Sequence, residues 1–95
     1  MGYRIDFTRQ AQADIDFHSK SGNMPVLNKL LALLEELSGH PESGTGKPER
    51  LKYQLSGLWA RRINSEHRLV YEILEDDAGG KDGIVVVHSA KGHYL

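Results

Sequence analysis

The apolar positions of this chain change period along its length, and the changes mark out the elements. Tyr3, Ile5 and Phe7 alternate with Arg4 and Asp6, the two-residue period of a half-buried strand. Ala11, Ile15 and His18 then fall on one helical face, with Thr8 in position to cap that helix. "SGN" at 21–23 breaks it, and Asn23 caps a second helix that tolerates Pro25 in its first turn. Leu27, Leu30, Leu31, Leu34 and Leu37 form the stripe of that second helix, widened by Val26 and Leu33, before Gly39 and Pro41 stop it. The stripe is too short for sustained heptads, so burial in a core explains it better than a zipper.

Beyond residue 40 the pattern shortens. "PESGTGKPER" (41–50) reads as a loop, and short strands are expected around Leu51–Leu55, Leu58–Asn64, His67–Leu74 and Ile84–Ala90. Ser56-Gly57 and Asn64-Ser65 supply turns, and "DDAGGKDG" (76–83) a longer connection. The expected fold is α+β, one domain over residues 1–95: an N-terminal strand and two helices packed on one face of a small antiparallel sheet. Alternation over 68–73 sends Arg68, Val70 and Glu72 to one face and Leu69, Tyr71 and Ile73 to the other. The second set suits the helix-covered core and would leave Arg68 on the open face. Val70 and Tyr71 are adjacent and both apolar, however, so alternation alone does not fix the register.

Composition narrows the class. The 95 residues are 39% hydrophobic and 26% charged, ordinary for a globular domain. No apolar run approaches the roughly 20 residues of a membrane span, and Arg4, Asp6 and Arg9 interrupt what would have to be a signal peptide. The absence of cysteine excludes disulfides and thiolate metal sites and fits a reducing cytoplasm. His18, His40, His67, His88 and His93 lack zinc-motif spacing, except that His88 and His93 lie five apart, so neither a metal nor a cofactor is expected.

Charge is unevenly spread. Residues 47–68 carry Lys47, Arg50, Lys52, Arg61, Arg62 and Arg68 against Glu49 and Glu66, although the whole chain sums to -1. A local positive region on a near-neutral protein suits a compact anionic contact such as phosphates; the plain alternative is a solvated hairpin surface. The open face holds candidates for cutting RNA without a metal: a base for the ribose 2′-hydroxyl, an acid for the departing 5′-oxygen and cations for the phosphorane. Glu49 is the candidate base and His93, near the terminus, the candidate acid. Arg68, Arg62 and Lys52 are candidate cations, and Tyr94 a stacking or hydrogen-bonding group. Each has a plainer reading, such as a Glu49 paired with Arg50 or Lys52. The same basic strands would also serve a non-catalytic module that blocks translation by occupying RNA or the ribosome, or a partner-binding remnant without activity.

The stretch 46–71, "GKPERLKYQLSGLWARRINSEHRLVY", closely resembles the toxins of the Txe/YoeB family in the RelE superfamily. "GKPE-x-LK", "LSG-x-W-x-RRI" and "EHRLVY" occur in the family's order and spacing, and "KGHY" resembles its His-Tyr ending. The resemblance implies a microbial-ribonuclease-like fold and a ribosome-dependent mRNA endonuclease. It also implies the toxin role in a type II toxin–antitoxin pair, neutralised by a small YefM-like antitoxin, with no metal. By position, Glu49 matches the family's general base, His93 its general acid, Arg68 its phosphate-stabilising arginine and Tyr94 its terminal tyrosine. Lys52, Arg62 and Glu66 match supporting positions, and Arg61 joins the cations expected on a scissile phosphate or the rRNA backbone. A homodimer is compatible with the chain, though no residue pattern requires one. Three features depart from the family: a pI near 6.5, Leu95 after the tyrosine, and the length of the 76–83 connection.

Overall fold

Thr8 ends one element and starts the next. In the computed structural model, which describes residues 2–75 and 83–92, β1 is Tyr3–Phe7 and α1 is Arg9–Lys20. Thr8 Oγ1 accepts from the Ala11 N–H at 3.1 Å and donates to the His88 carbonyl at 3.0 Å, so one hydroxyl caps α1 and ties it to the last strand. Helix α2, Met24–Gly39, starts at Asn23, whose side chain accepts from the Val26 N–H, with Pro25 in the first turn. Both caps stand where the sequence puts them.

The remaining elements are β2 (Glu49–Arg50), β3 (Leu58–Arg62), β4 (Arg68–Glu75) and β5 (Gly83–Ser89). They form one five-stranded sheet in the order β1-β5-β4-β3-β2. Strands β2 to β5 pair antiparallel as expected, while β1 adds parallel to β5 at the edge, making the sheet mixed. Both helices cover the same face. Ala11, Val26, Leu30, Leu33 and Leu37 pack there on Ile63, Leu69, Tyr71, Val85, Val87 and Ala90. The Leu69/Tyr71 face therefore is the core face. The stripe of α2 is turned slightly from its expected axis: Val26, Leu30, Leu33 and Leu37 are buried, whereas Leu31 is half exposed.

Two expectations need correction. Leu51–Leu55 is not a strand, because pairing stops after Arg50 and the chain makes a 3₁₀ turn over Tyr53–Leu55, with Tyr53 at φ 60°. The other sheet face is not bare either. Leu51, Ala60 and Val70, with Leu55 and Leu58, form a small second apolar cluster on it. No helix among the described residues is long and apolar enough to cross a membrane.

Candidate active site

The site begins with the backbone of "GKPE". Gly46 lies at φ 85°, and a Cβ there would sit 2.9 Å from the Arg62 carbonyl oxygen. Only glycine fits both demands. The same contact is used productively, since the Gly46 carbonyl accepts from the Arg62 N–H at 2.7 Å. Lys47 also takes a left-handed conformation, φ 54°, a strained choice for a residue with a side chain. These two residues, followed by Pro48, swing the chain so that Glu49 pairs with Ala60 as β2.

Register then decides what shares a face. Glu49, Ala60 and Val70 lie in one cross-strand row, and Arg62 and Arg68 are directly opposed in the next. Rows two residues apart along a strand are separated by roughly 7 Å, close enough for side chains of both rows to reach one phosphate between them. Gly46, Lys47, Pro48, Glu49, Arg62 and Arg68 line an open cleft of about 270 Å³ there. Glu49 is exposed, and its carboxylate makes no ion pair with Arg50 or Lys52. Arg68 is aimed by the β3–β4 turn: its Nη1 donates to the Asn64 carbonyl at 2.9 Å and to that of His67 at 3.3 Å. The turn is itself fixed by Asn64 Oδ1, which accepts from the Glu66 and His67 N–H groups at 2.8 Å each.

Directly opposed like charges destabilise a strand pair. Arg62 and Arg68 are such a pair, and their side chains have no carboxylate partner among the described residues. What would relieve them is an anion between or above them.

Other expected site residues fall elsewhere. Arg61 is a correction: its side chain is fully buried on the helix face, turned to the 40–45 loop rather than presented with Arg62 and Arg68. Its Nε donates to the Tyr71 hydroxyl at 3.1 Å, Nη1 to Glu36 Oε1 at 2.8 Å and to the Thr45 carbonyl, and Nη2 to the carbonyls of His40 and Ser43. Tyr71 in turn donates to the Pro41 carbonyl at 2.7 Å, and burial raises its pKa against the opposing pull of Arg61. Glu36 is held below the usual carboxylate range by hydrogen bonds from Thr45 first and by Arg61 second. Arg61 therefore staples the 40–45 loop that delivers Gly46 and Glu49. Lys52 lines a separate groove with Arg50, Trp59 and Glu75, and Arg50 lies 5.4 Å from the centre of the Trp59 ring. Glu66 is exposed on the turn and lines neither recess. His93, Tyr94 and Leu95 lie outside the described residues, as does the connection 76–82.

Sequence reasoning passed over two contributors. Lys47 reaches the cleft because of its left-handed backbone, which composition cannot reveal. His67 accepts from the Gly92 N–H at 2.9 Å, and the Arg68 N–H donates to the Gly92 carbonyl at 3.0 Å. The residue preceding His93 is thus fastened beside Arg68. Among the described residues, no group of three or more His, Asp or Glu side chains is placed to hold a metal ion.

Comparison with known proteins gives the chain a family. The family model described as the YoeB-like toxin of bacterial type II toxin–antitoxin systems matches residues 7–94. Toxin YoeB of Synechocystis sp. is 44% identical over 91 residues, covering 96% of each chain. The YoeB dimer from Staphylococcus aureus superposes with a TM-score of 0.77 at 35% identity, covering 97% of this chain and 98% of that one. The YoeB–YefM complex from the same organism gives 0.75 at 36% identity with the same coverage. The chain belongs to the YoeB-like toxins of bacterial type II toxin–antitoxin systems.

Proposed function

We propose that this toxin is a ribosome-dependent mRNA endonuclease that cuts by metal-free acid–base chemistry. Glu49 removes the proton from a ribose 2′-hydroxyl, and the freed oxygen attacks the adjacent phosphorus in line. Arg68 and Arg62 hold the negative charge that builds on the phosphorane, each able to offer paired N–H donors. His93 protonates the departing 5′-oxygen, leaving a 2′,3′-cyclic phosphate on one fragment and a 5′-hydroxyl on the other. Tyr94 stacks on a base or hydrogen-bonds a phosphate. Lys47 adds a cation at the mouth of the cleft; Lys52, on its separate groove, and Glu66, on the turn, are the supporting contacts to ribosomal RNA.

The observation that carries this reading is the directly opposed Arg62–Arg68 pair, without a carboxylate partner among the described residues, one row from Glu49 in an open cleft. The fastening of Gly92 to Arg68 adds support, because His93 is the next residue in the chain. The partner is a YefM-like antitoxin, since the Staphylococcus aureus relative is found in complex with YefM, and the toxin itself forms a homodimer as that relative does.

Expression of the chain without an antitoxin should arrest growth and generate new 5′-hydroxyl mRNA ends. Glu49→Gln and His93→Ala should each relieve the arrest, because removing an acid or base costs roughly 10²–10⁴ in rate. Full toxicity in both variants would end the assignment. Arrest without new ends would leave only a module that blocks translation by occupancy.

A further inference from the structure

The acid–base reading leaves the turn histidine without a task, yet His67 makes the most tail-ward side-chain contact of the described chain. Its Nδ1 accepts from the Gly92 N–H at 2.9 Å, while the neighbouring Arg68 N–H donates to the Gly92 carbonyl at 3.0 Å. Helix α1 grips the same segment two residues earlier. Asp14 Oδ2 accepts from the Ala90 N–H at 2.9 Å, and His18 Nε2 lies 2.7 Å from the Ala90 carbonyl. Residues 90–92 are therefore clamped at both backbone groups of Ala90 and both of Gly92. Asp14 and His18 are buried to carry out their half, and Gln10 steadies Asp14 with a 2.8 Å hydrogen bond.

The chemistry fixes the protonation of both rings. A carbonyl oxygen can only accept, so His18 carries a proton on Nε2. An Nδ1 that accepts from an amide bears none, so His67 is the neutral Nε2–H tautomer. The two rings meet edge to face, centroids 4.8 Å apart and planes at 78°, which fixes the plane in which the His67 lone pair points.

We propose that His67 is the positioning residue of the C-terminal segment: its Nδ1 fixes the Gly92 amide and so holds residues 90–92, the stretch that leads into the proposed acid His93, beside Arg68. The role given to His93 rests on the nuclease reading; the clamp itself does not. His18 and Asp14 of α1, Lys91 of the tail and Glu66 of its own turn face His67, and Arg68 follows it in the chain. Burial lowers its pKa, His18 and Lys91 act in the same direction, and Glu66 and Asp14 oppose them. A proton added to Nδ1 would set donor against donor at Gly92 and open the clamp.

His67→Asn and His67→Leu, made in the full chain, test this. Asparagine places an oxygen where Nδ1 stands and cannot titrate; leucine fills the space with no acceptor. On ribosomes programmed with a defined mRNA at pH 7.5, His67→Asn should cleave within about three-fold of the parent. His67→Leu should lose about ten-fold, the worth of one well-made hydrogen bond. Lowering the pH to 5.5 should raise the ratio of His67→Asn to parent activity. Imidazole NMR should show the Nε2–H tautomer at residue 67, and the Gly92 amide should exchange slowly in the parent and His67→Asn but fast in His67→Leu. An Nδ1–H tautomer in the parent, or unchanged exchange and cleavage in His67→Leu, would overturn the proposal. So would a folded His67→Asn as impaired as His67→Leu. If the parent itself does not cleave, the nuclease reading fails, while tautomer and exchange still decide the clamp.

Discussion

Three arginines within eight residues of one hairpin do two opposite jobs, and what separates them is which way the strand points them. Arg61 shares the helix-facing side of β3 with Trp59, while Arg62 faces the cleft with Ala60. Burying a guanidinium is tolerated only when every N–H finds a partner, and Arg61 meets that condition through Glu36, Tyr71 and three loop carbonyls. Arg61→Met would strand those acceptors and free the 40–45 loop. A loss of about 3 kcal/mol is expected, in line with breaking a buried pair, or roughly 10–20 °C in melting temperature for a domain this size. Arg62→Ala should stay within about 0.5 kcal/mol of the parent while weakening RNA binding. Thermal unfolding beside binding to a non-cleavable RNA checks both; equal stability in the two variants would refute the division of labour. The signal was present in the sequence. Arg61 keeps the two-residue period of Trp59 and Ile63, opposite Arg62 and Ala60, but a cluster of cations invites reading as a unit. Charge says nothing about direction.

At the scale of elements, what was legible is what is decided locally. Thr8 and Asn23 cap their helices through contacts three residues away, so a linear reading finds them. The β3–β4 turn is equally local, built on Asn64. Strand β2 was misplaced because its position depends on backbone angles and on a partner more than ten residues off. Gly46 and Lys47 bend the chain to bring Glu49, not Leu51, opposite β3. The parallel docking of β1 on β5 is more remote still, joining residues about 80 apart; no pattern within either strand announces it. Gly46→Ala probes the most consequential of these features. Its Cβ would press on the Arg62 carbonyl in a conformation unfavourable to alanine, at a cost of about 1–3 kcal/mol. The apolar core of α1 and α2 packs on Leu69, Tyr71, Val85 and Val87 rather than on this bend, so the variant should fold with native helical circular dichroism. Its cleavage should fall by roughly a hundred-fold, since a displacement near 1 Å of a reacting group suffices for that. Wild-type cleavage by a folded Gly46→Ala would mean that the bend does not position Glu49.

The whole molecule sets how strongly the cleft can hold a polynucleotide. Six bases against two acids in residues 47–68 suggest a strong local field, but the fold disperses it. Arg61 is buried against Glu36, and Arg50 and Lys52 turn to the second groove. Lys47, Arg62 and Arg68 remain at the cleft, with Glu49 among them. Elsewhere on the open face, the Arg4–Asp6 pair cancels internally. A near-neutral toxin with so small a cationic site should therefore bind free RNA weakly and depend on the ribosome to present the strand. Each phosphate neutralised on a single strand contributes about −0.7 to the slope of log K against log salt. Three cations give a slope of roughly −2 for a short 2′-deoxy-substituted RNA that cannot be cleaved. Arg62→Ala should flatten that slope by about 0.7, whereas Lys52→Ala should leave it unchanged for an oligonucleotide confined to the cleft. A slope beyond about −4 would show that the second groove, with Arg50 and Lys52, engages the same strand, and the two recesses would then form one continuous track.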